Sequence, residues 1–261
     1  MTPRSSIRIA LLLLISVSSS APQAQVAHSG IDGMWSDPPA NPDDFICFGF
    51  CTQMGIDYIN ALLNDPKNDD RSFAELWAET VARESTEYFR PRLSEAALAT
   101  FPLDQLQDDP GYLHCEPWGL ANQMFAPHQL EIKRFADRVE MRYGEWEARR
   151  TIYLDGREIP KRLQPSLLGF SIGRFEGDDL VIETTGIREN ITLWWAKHSD
   201  QLRVTERYSR DGDRLLLTAT MEDPWGLRQP LELKKVWSWA PDQEISPYAN
   251  CEPAVGSEGG N

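Results

Sequence analysis

Apolar and polar side chains alternate with a period of two through much of the chain between Gln129 and Trp239. Leu130 and Ile132, then Val139, Met141 and Tyr143, are interleaved with charged residues, the pattern of strands with one face in a core and one in water. The same period recurs over 146–154, 168–175, 180–185, 202–209, 215–221 and 231–239. In the last run Trp237 and Trp239 share a face and are expected in the core. Several runs are joined by turn chemistry: Asp155-Gly156, Glu176-Gly177-Asp178 and Asp211-Gly212-Asp213 each supply a glycine that accepts positive φ. Short strands with tight turns and no helical period between them predict an antiparallel sheet. About seven or eight such strands would close into a lipocalin-like β-barrel, which leaves no exposed edge.

Upstream the period lengthens. Ser72 and Glu75 form a capping-box pattern. Phe73, Leu76, Trp77, Val81 and Tyr88 follow at helical spacing until Pro91, which is expected to end the helix. Shorter helices are expected over 53–63 and 94–100. Residues 103–127 hold several prolines, including Pro110-Gly111, and read as irregular linking structure whose aromatic residues pack down. The expected fold is α+β: a helical and irregular cap region over 28–127, an antiparallel barrel over 128–252, and a disordered tail over 253–261.

Residues 1–27 read as a secretory signal peptide. Arg4 and Arg8 precede an apolar run over 9–17 and a small, polar exit in which Ala21, Ala24 and Ala27 are candidate cleavage points. The run falls short of the roughly 20 apolar residues that a membrane span needs. The expectation is therefore a periplasmic or secreted protein without a membrane span. Export puts the four cysteines in an oxidising compartment, where disulfides form. Every pairing is open on paper, with Cys115–Cys251 and Cys47–Cys51 favoured: the first ties the tail to the barrel entrance and the second is a local bridge. The C-x-x-x-C spacing fits neither a zinc knuckle nor a haem attachment.

Composition narrows the chemistry. Forty acidic against 26 basic residues give a formal charge of −14, which argues against a nucleic-acid partner because phosphate neutralisation needs a basic surface. A hydrophobic content of 41% is enough for a sizeable core. The chain has no nucleotide fingerprint, P-loop or zinc motif, so no cofactor is expected. His114, His128 and His198 stand too far apart for a local metal-ligand spacing. Gly169, Ser171 and Gly173 satisfy G-x-S-x-G, but a nucleophile elbow needs a helix after its turn, and here another strand follows.

The most telling run is 202–208. Leu202, Val204 and Tyr208 share one face with Glu206, so an apolar row carries a single carboxylate. Burying that group unpaired is costly, and Arg150, on a face with Ala148, Ile152 and Leu154, is the candidate cation to answer it. Such a pair is either a structural tie or a polar anchor at the bottom of a ligand cavity. His198 lies just before the same strand, either a proton-transfer residue at the barrel mouth or a loop histidine in a turn, and His128 is a candidate to join it. Tyr153 falls on the face opposite Arg150. The neighbouring indoles of Trp194 and Trp195 cannot both fill one core pocket, and suit the wall of a site for a planar ligand.

Three blocks in order carry a resemblance: I-Y-L-D-G-R at 152–157, S-I-G-R-F-E-G-D-D-L-V-I-E-T-T-G at 171–186, and H-S-D-Q-L-R-V-T-E-R-Y at 198–208. The chain resembles, from Cys115 to Cys251, a group of exported bacterial proteins of unassigned function. The resemblance implies a shared β domain and carries no activity with it. This chain departs from that pattern at Ile159 and Phe170, where the group has histidines, and at Phe175, where it has tryptophan. Proton chemistry using those histidines is therefore not expected, which turns attention to His198 and Glu206.

The functional expectation is a barrel cavity that binds a small hydrophobic or aromatic molecule, with Trp194, Trp195, His128 and Phe170 against the ligand. Cofactor-free acid–base conversion of lyase, hydratase or isomerase type would extend it, with Glu206 and His198 exchanging protons and Arg150 and Tyr153 stabilising negative charge. The competing expectation is a non-catalytic carrier or envelope interaction protein whose barrel is filled by its own side chains.

Overall fold

The structure is a computed structural model, and it describes residues 30–37, 51–101, 115–191 and 196–245. The expected signal peptide and tail, Cys47, Cys251, Trp194 and Trp195 lie outside the described residues. The chain forms strands β1 (Gly33–Ser36), β2 (Leu130–Arg134), β3 (Arg138–Tyr143), β4 (Arg149–Tyr153), β5 (Phe170–Glu176) and β6 (Asp179–Thr185). The short β7 (Asn190–Ile191) and β8 (Lys197–His198) follow, then the longer β9 (Arg203–Asp211), β10 (Arg214–Glu222) and β11 (Leu231–Trp239). Nine of them close a barrel in the order β1-β11-β10-β9-β6-β5-β4-β3-β2, while β7 and β8 pair with each other.

The alternation read from the sequence fills this barrel. Val204, Glu206 and Tyr208 point inward with Leu215, Leu217, Ala219 and Met221 of β10 and Leu231, Leu233 and Trp237 of β11, all of them buried. The register sets Glu206 between Ala219 and Ile182 at the middle of the wall. Gly177 and Gly212 adopt φ of 65° and 59° in the turns, as the hairpin chemistry requires.

Three expectations need correction. First, the sheet is mixed: β4 and β5 run parallel, over just two residue pairs, Ile152↔Ser171 and Tyr153↔Ile172. A parallel pair needs a connection of about a dozen residues or more, and the irregular stretch after Tyr153 supplies it. Second, the barrel does not begin at residue 128, because β1 pairs with both β2 and β11 and closes the ring. Third, Trp146 is not in a strand: a short 3-10 turn spans Glu145–Glu147, with Trp146 at φ 58° and Glu147 at φ 46°.

The helices follow their caps. In α1 (Gln53–Leu63) the Thr52 hydroxyl accepts from Gly55 N–H, and in α2 (Phe73–Glu84) Ser72 and Glu75 form the reciprocal capping box. The helical path runs on through a π turn at Ser85–Phe89 and ends at Arg92, one residue past Pro91, which occupies the first turn of the last segment, where a missing N–H is tolerated. Ile56, Ile59 and Leu76 make a small separate core, whereas Phe73, expected to pack, is 47% exposed. Because β1 covers only the Ser238 and Trp239 end of β11, the rest of that edge needs other partners. The helical segment provides them: Lys234 N–H donates to the Cys51 carbonyl at 2.7 Å, and Glu232 exchanges hydrogen bonds with the Tyr88 hydroxyl at 2.8 and 3.0 Å. Neither Cys51 nor Cys115 is a free thiol.

Candidate functional site

Glu206 and Arg150 meet inside the barrel, with side chains 0% and 1% exposed. The guanidinium engages both carboxylate oxygens, at 2.7 and 2.8 Å, in the bidentate geometry that favours arginine for such pairs. Its remaining donors go to Ser171 Oγ at 2.9 Å and to Thr184 Oγ1, and those hydroxyls are 3.0 Å from each other. The Tyr208 hydroxyl donates to Glu206 at 3.1 Å. Burial pushes the Tyr208 and Tyr143 phenols above their ordinary range, which keeps both protonated as donors. Burial also opposes the charge of Arg150, but the Glu206 carboxylate outweighs it and holds the guanidinium charged. Both oxygens of the acid are thus bonded within the barrel.

The network touches a cleft. Where β4 and β5 part before Ile152 and Ser171, a space of about 440 Å³ opens, within the range of small-molecule sites. Arg150 and Ser171 reach it from the inner face, while Tyr153 and Phe170 line it from the outer side of the seam, stacked at 5.3 Å. Trp118 and Trp146 complete the aromatic lining, edge to face at 6.2 Å. Glu206 lies behind Arg150.

The strained turn at Glu145–Glu147 presents Trp146 to the cleft. Two consecutive non-glycine residues at positive φ cost on the order of 1–3 kcal/mol each and persist only where the surroundings hold them. Here the buried Glu145 pairs with His128, its carbonyl accepts from Gln123 Nε2 at 3.0 Å, and Gly144 N–H donates to the Gln129 carbonyl at 2.7 Å. His128 is thus a brace for the cleft wall, bonded to Glu145 and apart from His198.

His198 sits elsewhere. It is buried in β8 beside Leu202, Met221 and Asp223, with Nδ1 2.9 Å from the Ser199 carbonyl. A carbonyl only accepts, so Nδ1 carries the hydrogen and Nε2, which has no partner among the described residues, is bare. Burial lowers its pKa, which keeps the ring neutral. His198 stands in β8, which pairs with β7, and Glu206 is not among the described residues that line its pocket. Among the described residues no grouping of His, Cys, Asp and Glu would hold a metal ion.

Sequence reasoning missed Trp118 and Trp146. The first stands in a proline-bearing stretch without period, and the second owes its position to a backbone conformation that its residue type disfavours.

No protein-family model matches the chain, and no curated protein matches it. Among solved structures, the crystal structure of a mutant of the fluorescent protein UnaG is similar over 43% of this chain and 70% of that chain, at 18% identity and a TM-score of 0.27. At that score the likeness carries no argument about site or ligand.

Proposed function

We propose that this protein binds a small, planar hydrophobic or aromatic molecule in the cleft at the β4–β5 seam. The observation that carries the reading is the cleft itself: about 440 Å³, walled by Trp118, Trp146, Tyr153 and Phe170, with polar groups of the Arg150 network at its base. Aromatic faces of this kind give a flat ligand large contact area at low entropic cost. The reading is binding without turnover, supported by a buried acid already bonded on both oxygens and a histidine placed in another cluster. It includes export, supported by the sequence of residues 1–27. For export, the amino terminus of protein recovered from the cell envelope or medium should be Pro22, Gln25 or His28; an intact Met1 rules it out.

For binding, the full chain is titrated with 2-naphthol while tryptophan fluorescence is followed. Saturable binding that Trp146→Ala and Phe170→Ala each weaken by about tenfold is expected. Saturable binding untouched by both changes puts the ligand somewhere else, and no binding by any member of a planar-compound panel removes the reading.

A further inference from the structure

The charge around the cleft is opposite to that of the chain. With 40 acidic and 26 basic residues, a surface patch of this protein is on average net negative. Yet among the described residues the cleft is lined by two arginines, Arg149 and Arg150, and by no aspartate or glutamate. Arg150 has its charge answered inside the barrel by Glu206, which leaves Arg149 as the unanswered cation of the described lining. Arg149 is exposed on β4 at the rim and has no ion-pair partner among the described residues. Low-dielectric aromatic walls concentrate the field of such a cation instead of letting water dissipate it.

A second observation points the same way. The indole Nε1 of Trp118 is a donor only, is buried, and has no acceptor among the described residues. A buried donor left unpaired is unfavourable, and a ligand oxygen in the cleft would relieve it. Aromatic walls alone would also suit an organic cation through the ring faces, but Arg149 repels one.

We infer that the cleft takes the anionic form of a planar aromatic acid, its carboxylate toward Arg149 and Trp118 and its ring against the aromatic wall; this deepens the binding reading above and rests on it. The recognition is non-covalent, a charge-assisted hydrogen bond combined with ring contact.

Three probes that differ in one substituent test the inference on the full-length protein: naphthalene-2-carboxylate, naphthalene-2-carboxamide and naphthalen-2-ylmethylammonium, titrated by calorimetry. The carboxylate should bind about tenfold more tightly than the carboxamide, and the ammonium more weakly than either. Added salt should narrow the gap, since Arg149 sits at the rim. Arg149→Gln, an exposed change that leaves the core intact, should bring the carboxylate to within about threefold of the carboxamide. Equal binding of carboxylate and carboxamide, tightest binding of the ammonium, or a preference that survives Arg149→Gln would each overturn the anion inference while leaving the cleft as a binding site. Failure of all three probes to bind would overturn the cleft reading, and this inference with it.

Discussion

Removing the Glu206 carboxylate leaves a charged guanidinium inside the barrel with neutral hydroxyls, those of Ser171 and Thr184 among them, as its acceptors. With side-chain exposures of 1% and 0%, Arg150 and Glu206 belong to the class of fully desolvated ion pairs, in which the loss of one partner costs about 3–5 kcal/mol. Glu206→Leu should therefore destabilise the fold by about that amount. So should Arg150→Met, which strands the carboxylate with Tyr208 as its remaining donor. The double replacement removes both charges and keeps most of the volume, and Ser171 and Thr184 still bond each other across 3.0 Å. Such swaps are close to neutral, so the double variant should lie within about 2 kcal/mol of the parent. The single effects sum to roughly 6–10 kcal/mol, so the coupling exceeds about 4 kcal/mol. Urea unfolding at pH 7 followed by far-ultraviolet circular dichroism measures it. If a single variant lacks a cooperative transition, its recovery in the double variant is the same result. Single changes below about 1 kcal/mol, or additive ones, would refute the claim that the two charges are desolvated together.

Burial pushes the Glu84 carboxyl up to about 8 although Thr52 donates to it, while the unfolded chain releases that proton near 4.5. Stability then falls as pH rises from the lower value to the higher, by on the order of 5 kcal/mol, and Glu84→Gln should abolish that slope in urea midpoints taken at pH 5 and pH 8. Lys235 behaves with the opposite sign: burial, only partly offset by Asp37, pulls it down to about 8 against 10.5 when unfolded. Stability should therefore rise between those values, and Lys235→Met should flatten the rise in unfolding experiments at pH 8 and pH 10. Gly33 has φ of +129° and a Cβ there would lie 2.2 Å from the Trp239 ring, so Gly33→Ala should loosen β1 and cost about 1–3 kcal/mol. At Gly177, with nothing within 4 Å, alanine should cost only about 1–2 kcal/mol, for its positive φ alone, and thermal melts compare the two. Peptide mapping without reductant should yield Cys115–Cys251 and Cys47–Cys51; a Cys47–Cys115 peptide contradicts that pairing.

What the sequence makes legible is what repeats locally. β9, β10 and β11 show a clean period of two, and Ser72 and Glu75 mark a helix start within four residues of each other. Glu206 stands out because it interrupts an apolar row, and the cation that answers it is the one on a matching face. β1 is hidden because its four residues are too few to show a period, and they become a strand only through Trp35 pairing with Trp239 and Leu130. The parallel direction of β5 is hidden because nothing between Leu154 and Gly169 has the helical pattern that usually marks a parallel crossover. The cleft depends on both of these tertiary events and on the strained turn that turns Trp146 toward it, so no spacing announces it.

The nine tryptophans give the most direct test of the cleft. With indole nitrogens labelled with nitrogen-15, naphthalene-2-carboxylate should shift the indole N–H signals of Trp118 and Trp146, which wall the site, and leave those of Trp35 and Trp237, sealed in the core, in place. Saturable shifts confined to Trp35 and Trp237, with Trp118 and Trp146 unmoved, would contradict the account.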